Sequence, residues 1–207
     1  MHLPEVFAED RREVQFALIR EYPLALLITA GPGRLMAGPV PLILENGAGG
    51  TLTGHLARDN PQLAELAQVE ECLAVFSGPQ AYVSPSWYAT KAETGRVVPT
   101  WNYVTVQVWG RPRVIDDAVW VRRQIGALTR AQEAGRAEPW SVEDAPDPYV
   151  EALIRGVVGV EIEIARTLGK WKVSQNRPAR DRAGVSSALA KNNPQMAALV
   201  AERGSGD

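Results

Sequence analysis

The stretch Val158-Gly159-Val160-Glu161-Ile162-Glu163-Ile164 decides the fold class. Val158, Val160, Ile162 and Ile164 alternate with Gly159, Glu161 and Glu163, and only an extended chain turns that order into one apolar and one polar side. Working outward, Val104-Thr105-Val106-Gln107-Val108-Trp109-Gly110 repeats the arrangement, with the three valines on the side to be buried. Residues 24–29 and 72–77 are short apolar runs, expected to form strands buried on both faces. Residues 35–44 and 51–56 flank the turn cluster Asn46-Gly47-Ala48-Gly49-Gly50 like the arms of a hairpin. Residues 170–175 add a strand that buries Trp171 and Val173 and turns Lys170, Lys172 and Ser174 to the other side. Short strands punctuated by Gly and Pro argue for a mainly β, barrel-like domain with peripheral helices rather than a βαβ sheet.

Helices are expected between these strands. Asp10-Arg11-Arg12-Glu13 has capping-box spacing and opens a helix to Tyr22, where Pro23 stops it. Asn60-Pro61 and Asn193-Pro194 each place a capping amide before a proline suited to the first helical position. Residues 117–134 form the longest helical stretch and 148–155 a shorter one, joined by an acidic, proline-containing connector at 135–147 expected to be mobile. Val14, Phe16 and Leu18 on the first helix, with Cys72 and Val75, are expected in the core. The chain reads as a single domain over 1–207 with a basic, helical C-terminal extension at 181–203.

Composition narrows the chemistry. With 22 basic and 24 acidic residues the net charge is −2, and 45% apolar content is enough for a packed core. One cysteine, Cys72, and two histidines, His2 and His55, exclude an intrachain disulfide and leave too few soft or imidazole ligands for a metal site. Residues 1–12 lack the apolar segment of a secretory signal, and no apolar run approaches the ~18 residues of a spanning helix, so a cytoplasmic location is expected. Charge is unevenly placed. From residue 166 on, eight basic residues face three acidic ones, a local +5 on a body of −7, which suits an anionic partner or a solvated cationic face. Gly-x-Ser-x-Gly, Gly-x-Gly-x-x-Gly and phosphate-loop motifs are absent.

Four segments gather aromatic, amide and cationic groups beside strands. In Gly54-His55-Leu56-Ala57-Arg58-Asp59-Asn60-Pro61 a strand gives way to a helix; Arg58 and the helix start could hold a phosphate, or Asn60 could simply cap while Arg58 is solvated. Tyr82-Val83-Ser84-Pro85-Ser86-Trp87-Tyr88 and Val98-Pro99-Thr100-Trp101-Asn102-Tyr103 are joined by a polar loop containing Lys91. Their rings suit either barrel-corner packing or the clasping of a planar heteroaromatic ligand. Gly169-Lys170-Trp171-Lys172-Val173-Ser174-Gln175-Asn176-Arg177 collects donors without acids, as an anion site or a lysine-protected edge strand would.

The strings GHLARDNP, YVSPSWYATK, VPTWNY and GKWKVSQNR, in this order over nearly the whole chain, resemble the PaiB family of FMN-binding negative transcriptional regulators. The resemblance implies a flavin-binding split β-barrel, a homodimer with ligand clefts between subunits, and noncovalent FMN. Carried over by position, it marks His55, Arg58 and Asn60; Ser84, Ser86, Trp87, Tyr88 and Lys91; Trp101, Asn102 and Tyr103; and Lys170, Ser174, Gln175, Asn176 and Arg177. Two departures stand out: Pro39-Val40-Pro41-Leu42 where relatives often have His-Leu-Pro-Leu, and Gln107 where they often have His.

The leading expectation is a flavoprotein whose phosphate is held by Arg58 and the donors near Lys170 and Arg177, with the isoalloxazine ring against residues 101–103. No residue is an obvious catalytic acid or base. The alternatives are a flavin-dependent oxidoreductase resembling the pyridoxamine-phosphate oxidases, or a repressor that contacts DNA directly. For the last, residues 194–203 offer almost no Arg or Lys to reach base edges.

Overall fold

Both alternating stretches lie inside sixteen-residue strands, longer than the short strands expected. The computed structural model describes residues 1–45 and 49–203. In chain order it contains β1 (Ala8–Glu9), α1 (Arg12–Glu21), β2 (Leu24–Ala30), β3 (Leu35–Pro41), β4 (Ile43–Glu45), β5 (Thr51–Ala57), α2 (Gln62–Leu66) and β6 (Cys72–Val83). There follow α3 (Lys91–Thr94), β7 (Thr100–Ile115), α4 (Ala118–Glu133), α5 (Asp147–Arg155), β8 (Val157–Lys172), α6 (Ala179–Leu189) and α7 (Pro194–Glu202). The fold class is therefore mainly β with peripheral helices, as expected. Two compact units share the chain. A terminal unit takes Met1–Leu18, Ser77–Val106 and the chain from Leu168 on; a hairpin unit takes Ile19–Phe76 and Gln107–Thr167. No described helix is long and apolar enough to cross a membrane.

The strand order is β3-β2-β6-β7-β8-β5-β4, and β6, β7 and β8 each contribute residues to both units. The expected hairpin appears as β4 against β5, with Ile43 opposite Thr53 and Glu45 opposite Thr51, while its turn at 46–48 lies outside the described residues. The alternation at 158–164 is realised fully: Val158, Val160, Ile162 and Ile164 are buried, and β5 runs antiparallel beside them with His55 opposite Gly159. At Gly159 the strand passes so close to Trp120 that a β-carbon would sit 2.3 Å from the indole, so only glycine fits. A second apolar cluster, Val121, Val142, Val150 and Ile154, forms between α4, α5 and the 135–147 connector. The connector is thus anchored by Val142 in a 3-10 turn, Val142–Asp144, rather than featureless.

One strand expectation is corrected. Residues 24–29 are not buried on both faces: Ala25 and Leu27 are fully covered, but Leu24 is 61% exposed and Leu26 43%. Directly opposed residues of an antiparallel pair share a face, so Leu24, Leu26 and Ile28 lie with Pro41, Pro39 and Ala37 of β3. Val75 and Leu73 of β6 extend the same open, uncharged face.

In the terminal unit β1 pairs antiparallel with the end of β8, Ala8 opposite Lys170. Glu9, buried, receives Arg11 at 2.7 Å and Arg203 at 2.5 Å, and Arg203 also lies over the Trp171 ring at 4.9 Å. Asn193 caps α7 by accepting from the Met196 amide at 3.1 Å. Met196, Ala197 and Val200 of α7 and Val185 and Leu189 of α6 are buried. On α1 the covered side chains are Gln15, Leu18 and Ile19, while Val14 and Phe16 are only partly covered. Cys72 is buried as expected and Val75 half-buried.

Candidate functional site

The first motif belongs to the hairpin unit and the other three to the terminal unit. At the end of β5, His55 Nδ1 lies 2.8 Å from Gln124 Oε1. Gln124 Nε2 donates to the Thr53 carbonyl at 3.4 Å, so its Oε1 is the acceptor and the histidine Nδ1–H donates. Arg58 is fully engaged. Its guanidinium makes a two-pronged pair with Asp116 at 2.7 and 2.8 Å and donates through Nε to the Arg155 carbonyl at 2.8 Å. The Asp116 carboxyl is held below its ordinary value by that hydrogen bond. Asn60 Oδ1 accepts from the Gln62 amide at 2.9 Å, so its amide caps the following turn. Burial drives the Cys72 thiol up to about 12, and its Sγ donates to the Gly110 carbonyl at 3.5 Å; this cysteine is no nucleophile.

In the terminal unit the Ser84–Lys91 loop is tied down on several sides. Ser84 Oγ accepts from the Ser86 amide at 3.2 Å and Lys91 Nζ donates to Ser86 Oγ at 3.2 Å. Asp181, buried on α6, accepts from both the Thr90 amide at 3.0 Å and its hydroxyl at 2.8 Å. Gly184 of the same helix lies against Trp87, where a β-carbon would approach the Trp87 carbonyl to 2.1 Å. Tyr88 is buried beneath Arg177, whose guanidinium carbon is 4.8 Å from the ring centre; burial raises the phenol above its ordinary value.

The pleat of β7 divides the third motif. Trp101 and Tyr103 project from one face, while Asn102 is wholly buried on the other. On the first face Trp101 Nε1 donates to Gln80 Oε1 at 3.1 Å, and Tyr82 meets the indole edge-on at 6.0 Å. A groove of about 400 Å³ runs here, lined by Ser77, Gly78, Gln80, Trp101, Tyr103 and Thr105 among others. Lys170 Nζ lies 5.3 Å from the Tyr103 ring centre.

The fourth motif behaves differently from the expected strand. β8 ends at Lys172, and Ser174 adopts a left-handed backbone conformation with φ 65°, which breaks the alternation. Lys170 and Ser174 are buried along with Trp171 and Val173. Lys170 Nζ donates to the His2 carbonyl at 2.8 Å, Gln175 Oε1 accepts from the Val173 amide at 2.8 Å, and Asn102 Nδ2 donates to Ser174 Oγ at 2.9 Å. A niche of about 50 Å³ is enclosed by Phe7, Thr100, Asn102, Lys172, Ser174, Asn176 and Arg177. Lys172, which the motif reading passed over as a site residue, reaches Thr100 Oγ1 at 2.5 Å and the Trp101 carbonyl at 2.6 Å. Burial, then Lys170 and Arg177, push its ammonium below the ordinary lysine value. Its parity with Lys170 in the string Lys170-Trp171-Lys172 was the signal available in the sequence.

Residues 1–166 match the sequence family described as "Putative FMN-binding domain". An uncharacterized protein of Emericella nidulans is 34% identical, covering 99% of this chain and 98% of its own. The protease synthase and sporulation protein PAI 2 of Bacillus subtilis is 28% identical, covering 98% of both chains. Among solved structures, the flavocytochrome Anf3 of Azotobacter vinelandii shares the fold with a TM-score of 0.59 at 16% identity, covering 82% of this chain and 72% of its own. The chain belongs to the FMN-binding domain family to which its motifs pointed, and it has the split-barrel fold that the PaiB resemblance implies.

Proposed function

We propose that this chain binds FMN noncovalently, with the isoalloxazine ring in the groove of the terminal unit. The observation that carries this reading is the aromatic wall of that groove. Trp101 and Tyr103 stand two residues apart on one strand face, with the indole fixed by Gln80 and Tyr82. Rigid rings lining about 400 Å³ suit a planar ligand and fall within the roughly 300–1,000 Å³ usual for small-molecule sites. Bound FMN would supply hydride or electron transfer; the chain would orient the ring and exclude water. Ser86, Trp87 and Lys91 are assigned to the loop that shapes the site, pinned to α6 through Thr90 and Asp181. Lys170, Gln175, Asn176 and Arg177 supply the donors, and Asn102 holds Ser174 among them. His55, Arg58 and Asn60 are assigned a supporting role, since Arg58 already has its carboxylate.

The reading includes a second copy of the chain. The support is the open apolar face of β2, β3 and β6, an area without a charged residue, of the kind that subunit contacts cover. Light scattering would read a homodimer for the natural chain and a monomer for Leu26→Glu; a monomeric natural chain sinks the dimer. Flavin binding itself is tested by the absorbance of the purified protein and by titration with FMN. A colourless protein whose spectrum and fluorescence are indifferent to FMN ends the proposal.

A regulatory role of the PaiB kind is the second reading, supported by the relation to the Bacillus protein. It does not require DNA contact by α7, which has no basic residue between Pro194 and Glu202 and buries Met196, Ala197 and Val200. An oxidoreductase would instead show sustained NAD(P)H consumption with FMN and an acceptor.

A further inference from the structure

The aromatic wall of the groove is neutral where it faces the groove and cationic where it is backed. Among the described residues no charged side chain lines the groove, which beside its rings presents hydroxyl, amide and aliphatic groups. Yet Tyr103 carries the Lys170 ammonium 5.3 Å from its ring centre, and Lys172 Nζ reaches the Trp101 carbonyl at 2.6 Å. The acids of the same unit are engaged elsewhere: Glu9 by Arg11 and Arg203, Glu93 by Arg180, and Asp181 by Thr90. Among the described residues no carboxylate pairs with either lysine. Lys170 is 6% exposed, and its one hydrogen-bond acceptor among the described residues is the neutral His2 carbonyl at 2.8 Å. A carbonyl occupies one hydrogen of the ammonium and leaves the charge intact, while burial keeps solvent from screening it. The field of such a cation extends across the ring it touches.

We infer that Lys170, seconded by Lys172, biases the groove toward an electron-rich ring, so that the chain holds reduced FMN more tightly than oxidised FMN. The inference rests on the flavin reading above and adds to it a preferred redox state. Two electrons and one proton turn the neutral isoalloxazine of oxidised FMN into an anion, and the phosphate is common to both forms, so the preference reports on the ring alone. A ring that gains negative charge beside an uncompensated cation is stabilised relative to its neutral form. A tenfold preference for the reduced form raises the two-electron potential of the bound flavin by about 30 mV over that of the free one.

The test is anaerobic titration of the full chain with oxidised FMN and with dithionite-reduced FMN, followed by tryptophan fluorescence, for the natural protein, Lys170→Met and Lys170→Arg. Methionine keeps an aliphatic stem and removes the charge; arginine keeps the charge. Equilibration of the bound flavin with a dye of known potential reads the same ratio independently. Expected is tighter binding of the reduced form by about tenfold or more, a ratio that falls toward one in Lys170→Met through weaker binding of reduced FMN and returns in Lys170→Arg. A role in packing alone would lower both affinities together and leave the ratio as it was, and that result overturns the inference. Equal affinity for the two forms in the natural chain, or tighter binding of the oxidised one, also overturns it and leaves flavin binding intact. If neither form binds, the flavin reading and this inference fall together. Should Lys170→Met not fold, Lys172→Met decides from a half-buried position: a lowered ratio upholds the bias, and an unchanged one overturns it.

Discussion

Arg58 at the end of β5 and the segment from Lys172 to Arg177 at the end of β8 are both basic, amide-rich loops following a strand, yet their charges are answered differently. Arg58 meets Asp116 and two carbonyls in a largely exposed setting. Among the described residues Lys172 and Arg177 meet no acid, and the charges of Lys170 and Arg177 both act on Lys172. An exposed, paired guanidinium gains little by further contact, because solvent already screens it and its donors are committed. Half-buried cations without a counterion stay under mutual repulsion that only an incoming anion relieves. The lesson is that attraction for a ligand follows what a cation lacks, not how many cations a segment contains.

The strongest way to sharpen that contrast is to remove the acid from a compensated cluster. Glu9→Gln should lower stability by about 2–4 kcal/mol, since Arg203 would lose its partner within a buried setting, and chemical denaturation would measure it. The same residue predicts an acid limb. Burial works to raise the Glu9 carboxyl, but hydrogen bonds from the Arg11 side chain and amide and from Arg203 prevail, bringing it from 4.5 to about 2. A folded value below the unfolded one means that the stabilisation is complete above about 4.5 and is lost as pH falls toward 2. Stability of the natural chain should therefore fall more steeply across that window than stability of Glu9→Gln; parallel curves would refute the assignment.

Next in size is Gly184→Ala. The new methyl must displace the Trp87 carbonyl, at a cost of about 1–3 kcal/mol, and should loosen the Ser84–Lys91 loop. Faster proteolysis within that loop would report the change. The smallest effect is expected at Asp116→Asn, which leaves an exposed Arg58 without its carboxylate: solvent screens the pair, so the chemical-denaturation midpoint should stay that of the natural chain, with an unchanged ratio of FMN to riboflavin affinity. A collapse of that ratio in Asp116→Asn would return the phosphate to the first motif and dissolve the contrast.

Local periodicity and capping were legible without coordinates. Valine alternation at 104–110 and 158–164 became buried faces of β7 and β8, and Asn193 capped its helix, because both depend on neighbours a few residues away. Motif spacing likewise identified the family, and the aromatic pair Trp101 and Tyr103 emerged on one face as strand parity requires. Other features depended on partners distant in sequence. Asp116 comes to Arg58 from 58 residues away, and nothing in the string around Arg58 announces it. The open face of β2 follows from what fails to cover Leu24 and Leu26, although their apolar run looks the same whether buried once or twice. Lys170 is buried with its ammonium on the carbonyl of His2, 168 residues away, and Ser174 leaves the strand conformation, neither of which the residue types announce. Amino-acid order by itself determined the strands, caps and membership of the family, since these are set by short-range sterics and composition. Tertiary structure alone decided which cations are neutralised and which stay available, since Coulombic pairing depends on distance in space and not along the chain.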